Sequence, residues 1–127
     1  MGANNSDFRG YQTAYRFSHK SKRGSIEALG LKMTPKERDY VHEPGDIPRG
    51  VYGYEHEDSV HEAASGYPNT DLYEFKIHPN LVNEDPWLPN DAIYSSRAIP
   101  KPRVKRIGHV TSEGELHMHP EEHCDGR

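Results

Sequence analysis

Two short stretches of the chain hold side chains suited to chemistry. In Asn83-Glu84-Asp85-Pro86, two neighbouring carboxylates precede a proline. A proline confines the residue before it to extended backbone, and this helps fix where the Asp85 carboxylate points. A carboxylate held in this way can accept the proton of an incoming hydroxyl. Glu84 and Asp91 are the alternative acids on the same stretch. In Ser18-His19-Lys20-Ser21, an imidazole stands two residues from a hydroxyl. Such a pair suits hydrogen bonding to the hydroxyls of a ligand and needs no unusual pKa. Tyr52, with Tyr54 and Tyr94 as alternatives, offers an aromatic face, and offset stacking of rings adds ~0.5–1.5 kcal/mol beyond area burial.

Other clusters read more plainly. Lys20, Lys22 and Arg23 form one basic run and Lys101, Arg103, Lys105 and Arg106 a second; both are expected as solvated faces. The tail His117-Met118-His119-Pro120-Glu121-Glu122-His123-Cys124 carries imidazoles and a thiol of the kind Zn²⁺ takes. No HExxH or spaced CxxC accompanies them, and no dedicated metal site is expected.

The elements that position these groups must come from a small domain. The chain has 127 residues and a net charge of −4, and Leu, Ile, Val and Phe supply 21 of its residues. Eight Tyr, three Phe and one Trp add area that the aliphatic count misses, so a thin, Tyr-rich core is expected. No apolar run approaches the ~18–20 residues that span a bilayer, which excludes a helical membrane protein. Sixteen basic against 20 acidic residues lack the excess that a dedicated nucleic-acid binder shows. A single cysteine, Cys124, allows no intrachain disulfide, and the first ten residues hold no apolar signal segment, so a cytoplasmic monomer is expected. The Met-Gly start with Ser6 matches a myristoylation pattern, as ordinary coincidence also does.

Residues 1–10 and 111–127 are polar and unpatterned, and are expected as a disordered N-terminus and a flexible acidic, His-rich tail. Between them, alternation predicts a strand over 13–18. Ile26 and Leu29 predict a short helix over 21–29, stopped by Gly30. Residues 32–49, with three prolines, read as a long loop, a candidate lid. A strand at 50–54, a helix over 56–65 stopped by Gly66, and the strongest strand at 71–77 follow. The stretch 78–91 is too rich in proline for regular structure, and two further strands are expected at 93–96 and 103–110. The class is α+β, with a small split antiparallel sheet and two short helices.

Within 71–110, Leu72-Tyr73-Glu74-Phe75, Asn83-Glu84-Asp85-Pro86, Tyr94-Ser95-Ser96-Arg97 and Val104–Val110 follow one another in an order that resembles the rifamycin ADP-ribosyltransferases. Upstream, Arg16-Phe17-Ser18-His19-Lys20-Ser21 is similar to that family's His-Gly-Thr strand, and Val51-Tyr52-Gly53 to its Ile-Tyr-Phe. The resemblance implies an ADP-ribosyltransferase-like fold with an NAD cleft, transfer of ADP-ribose from NAD, and release of nicotinamide. It gives Asp85 the charge that develops on the ribose, a situation parallel to glycoside hydrolysis. By the same resemblance His19 and Ser21 hold the ribose, Tyr52 or Tyr94 stacks on the nicotinamide, and Lys20 lies beside the nucleotide. Lys20 stands where the family has glycine, and Arg16 is similar to the ribose anchor of the toxin-like branch. The mainly charged 32–49 loop suits a protein or nucleic-acid acceptor better than a lipophilic one. A nucleotide-binding module without turnover and an RNA 2′-phosphotransferase-like enzyme are the alternatives.

Overall fold

A computed structural model describes residues 10–33, 49–86, 88 and 90–119. The candidate lid falls almost wholly outside the described residues, as do the tail beyond His119 and the first nine residues.

The described chain is α+β. Its strands are β1 (Gln12–His19), β2 (Val51–Tyr54), β3 (Thr70–Ile77), β4 (Val82–Glu84), β5 (Ala92–Ser95), β6 (Val104–Val110) and β7 (Leu116–Met118). Its helices are α1 (Arg23–Leu29) and α2 (Glu57–Ala63). All strand pairs are antiparallel, in the order β4-β5-β2-β1-β3-β6-β7. The expectation of a split sheet is corrected to one continuous sheet with a narrow joint: β2 meets β1 at the single register pair Tyr15–Tyr54. On its other border β1 pairs with β3 along its whole length, from Gln12–Ile77 to His19–Thr70.

Alternation along the strands gives the sheet two different faces. Ala14, Val51, Tyr73, Phe75, Ile77 and Ile93 point to one face and pack with Ile26 of α1 and with Leu31 and Ile99. Gly30 closes α1 at φ +84, its N–H donating to the Ile26 carbonyl at 2.8 Å. A Cβ there would run into the Ile99–Lys101 backbone, so glycine lets α1 dock on that segment. Ile26 is buried as expected, but Leu29 is 60% exposed, because a seven-residue helix meets the sheet along only one turn. On the opposite face Leu72, Val110, Val60 of α2 and Ala64 are buried. Phe17 there stacks on Tyr67 at 4.6 Å and meets Tyr54 edge-on. Glu57 and Asp58 in the first turn of α2 suit the positive end of its dipole.

Order continues beyond residue 110, where the sequence predicts a flexible tail. β7 pairs with β6 from Val110–Leu116 to Gly108–Met118. The reversal rests on Gly114 at φ +86 and on the Thr111 hydroxyl, which accepts from the Glu113 and Glu115 amides. Among the described residues no helix is long and apolar enough to cross a membrane.

Candidate functional site

The joint between β1 and β2 separates two of the groups singled out by sequence, His19 at the end of β1 and Tyr52 on β2. Gly53 sits where a Cβ would meet the Tyr15 carbonyl oxygen at 2.7 Å and the Phe75 ring at 2.9 Å, so the strands approach closely there. Past that point no further register pair joins them, and a side chain spans the gap instead. Arg16 Nη1 donates to the Tyr52 carbonyl oxygen at 3.3 Å, and its Nε donates to Ser18 Oγ at 3.4 Å.

His19 ends β1 at the mouth of this gap and is exposed. Its Nδ1 accepts from the Ser21 amide at 3.1 Å and lies 3.0 Å from Ser21 Oγ. An Nδ1 that accepts a backbone N–H leaves the proton of the neutral ring on Nε2, so the outward nitrogen is a donor matched to a hydroxyl oxygen. The same bond caps the turn Lys20–Lys22 that leads into α1. Lys20 is exposed, and its amide already donates to the Asn69 carbonyl at 3.1 Å. Asn69 adopts φ 63, a left-handed conformation that Asn tolerates better than most residues, and its own amide donates to Val110 and Thr111 carbonyls. One strained residue thus ties the ends of β1 and β6 to the start of β3.

Across the gap, Tyr52 and Tyr94 are register partners on β2 and β5, with rings stacked at 4.6 Å and 20°. Tyr52 is 6% exposed, and the two rings named as alternatives form one unit. Tyr54, two residues on and on the same face, packs with the α2 layer, its hydroxyl 3.4 Å from that of Tyr67. The row runs on through Asn83, opposite Tyr94 on β4, and Asp85 follows two residues later. Asp85 is fully buried; its amide donates to the Ala92 carbonyl, and its carbonyl accepts from the Leu88 amide. Glu84 and Asp91 are exposed. Since Tyr15 and Tyr54 are partners, alternation puts His19, Tyr52 and Tyr94 on one face of the sheet and Arg16 on the other.

Two groups carry more than sequence reasoning assigned them. Asp71, read only as the start of a strand, is buried and holds Arg23 through two bonds of 2.8 and 2.9 Å. That hydrogen bond, against a smaller cost of burial, pushes the Arg23 guanidinium further above its already high value. Arg23, expected as part of a solvated face, is therefore tied to the buried Asp71. His109 is the second such group. It faces His119 with ring nitrogens 2.9 Å apart and stacks on His117 at 5.4 Å. Burial, followed by the charges of His119 and His117, holds His109 below the usual imidazole range. Among the described residues no group of three His, Cys, Asp or Glu is placed to hold a metal ion. Of the second basic run, Lys101 and Lys105 are exposed, while Arg103 lies 5.3 Å from the Tyr11 ring centroid.

Neither a family model, nor a curated protein, nor a solved structure matches this chain.

Proposed function

We propose that the chain binds NAD at the gap between β1 and β2 and transfers its ADP-ribose to a protein or nucleic-acid acceptor. The observation that carries this reading is the single-pair joint, flanked on one face of the sheet by the His19–Ser21 pair and by the stacked Tyr52 and Tyr94 rings. His19 Nε2–H donates to a ribose hydroxyl, and the Ser21 hydroxyl stands beside it. The tyrosine stack provides the aromatic surface for the nicotinamide. The C–N bond between ribose and nicotinamide breaks with its electron pair leaving on nicotinamide, and a cation develops on the ribose. Asp85 stabilises that charge and takes the acceptor's proton as the new bond to the ribose carbon forms.

Two observations favour a second reading, in which the fold holds a nucleotide without turning it over. The Lys20 amide is spent on Asn69, and Asp85 is fully buried. An RNA 2′-phosphotransferase-like reaction gains no support from the basic run that would grip an RNA end, where Arg103 lies over the Tyr11 ring and Arg106 is only half-exposed.

Nicotinamide release from NAD, measured with candidate acceptors, separates these readings. Under transfer, Asp85→Asn lowers kcat with NAD binding retained, whereas His19→Ala mainly raises KM. Saturable NAD binding with no release in any acceptor mixture establishes the second reading. Absence of NAD binding refutes both.

A further inference from the structure

The face of the sheet opposite His19 and Tyr52 carries a cleft of about 530 Å³ between α1 and strands β3 and β6. That volume falls in the range of small-molecule sites, roughly 300–1,000 Å³. Ile26, Pro102 and Val104 form its apolar walls, and Lys101, Arg106 and Glu27 bring charge to it. Tyr73, 1% exposed, is the remaining lining residue.

Tyr73 and Arg106 are register partners on β3 and β6. Among the described residues, Tyr73 Oη and Arg106 Nε are the buried side-chain nitrogen and oxygen atoms that have no hydrogen-bond partner. Both carry a proton to donate, and a buried donor left unpaired costs about 1–3 kcal/mol. Burial, with the nearby Asp71 and Glu27, pushes the Tyr73 hydroxyl up to about 12, so it remains a donor at neutral pH. The neighbouring acids do not meet this demand. Asp71 gives its oxygens to Arg23 at 2.8 and 2.9 Å and lies 3.9 Å from Arg106 Nη1. Glu27 Oε2 stands 3.5 Å from Arg106 Nε without making a hydrogen bond, and its side chain is 54% exposed. Two adjacent buried donors, a second cation at Lys101 and a half-exposed acid at the rim together describe a place for an anionic oxygen.

We propose that this cleft binds a small molecule bearing a terminal oxyanion, phosphate or carboxylate, on an apolar body. The oxyanion takes the place of the Glu27 carboxylate beside Arg106 and accepts from Tyr73 Oη. Lys101 pairs with it at the mouth, and the body lies along Ile26, Pro102 and Val104. The solvent-exposed Glu27 side chain swings outward to admit the ligand. This cleft lies on the face opposite the proposed NAD site and stands independently of it.

The test is a titration of backbone amide resonances with phenyl phosphate, benzoate and inorganic phosphate. Phenyl phosphate or benzoate is expected to shift the Ile26, Glu27, Val104 and Arg106 amides saturably, and the tighter of the two names the head group. Inorganic phosphate, which has no body, should bind at least about tenfold more weakly. Tyr73→Phe should weaken the organic anion by about tenfold, a fold-change in line with a hydrogen bond to a charged group. Glu27→Gln should tighten it, because the competing carboxylate charge is gone. Tyr73→Phe deletes a hydroxyl with no partner, so its thermal stability is expected to match or exceed that of the parent, which separates weaker binding from misfolding. Organic anions that leave these amides unmoved, equal affinity for inorganic phosphate, or unchanged affinity in Tyr73→Phe would each overturn the proposal.

Discussion

β1 has two borders, and they differ in kind. Toward β3 it pairs without interruption from Gln12 to His19, with Ala14 set against Phe75 and Arg16 against Tyr73. Toward β2 it pairs once, at Tyr15–Tyr54, and then an arginine side chain spans the gap that a ladder would close. One strand thus has a full ladder on one border and a single register pair on the other. The continuous border lets β1 tolerate the open one, since backbone groups released on one side are held in register from the other. His19 stands at the end of the second border and Tyr52 on the strand across it.

Substitutions at the two borders should separate accordingly. The largest effect is expected from Phe75→Ala, which empties a fully buried site against Ala14 and should cost ~3–5 kcal/mol in chemical denaturation. Gly53→Ala should cost ~1–3 kcal/mol, because the added methyl has the Tyr15 carbonyl and the Phe75 ring in its way. It should also weaken NAD binding by spreading the joint, which a ligand titration of the folded variant would reveal. Arg16→Met removes the bridge but keeps its stem, and should cost no more than ~1 kcal/mol while changing NAD affinity more than stability. The smallest effect belongs to the far edge of the sheet. His109 is held below the ordinary imidazole value, so above about pH 6.5 both folded and unfolded chains carry it neutral and the fold keeps its full stability. As pH falls through that value the unfolded chain takes up the proton first, and stability declines until the folded ring titrates too. Denaturation midpoints across this range should show the decline, and His109→Gln should flatten it.

What the sequence revealed follows the reach of its patterns. β3 was legible because Leu72, Tyr73, Phe75 and Ile77 crowd a β-prone run, α1 from its spacing and the Gly30 stop, and α2 from its spacing alone, since it ends at Ala63 and Gly66 falls in the 3-10 turn that follows. β4 and β7 were not, since three-residue strands are held by their neighbours β5 and β6 and carry no pattern of their own. His19 and Ser21 were recognisable as a pair because they lie two residues apart. The Arg23–Asp71 pair, 48 positions apart, left no local trace, and Arg23 looked like one more surface cation. Tyr52 and Tyr94 each stood out as aromatic candidates, but only the β2–β5 register shows that they stack. The narrow joint is invisible in sequence for the same reason: it is a property of two strands and a glycine brought together by the rest of the fold.

The measurement that tests the open border most directly is a titration of the full chain with NAD, followed residue by residue through backbone amide resonances. If the gap is the nucleotide site, saturable shifts will gather at His19, Ser21, Tyr52, Gly53 and Tyr94, and Phe75 and Ile77 on the continuous border will stay still. An absence of saturable shifts, or shifts confined to the α1 face around Ile26 and Val104, would contradict the account.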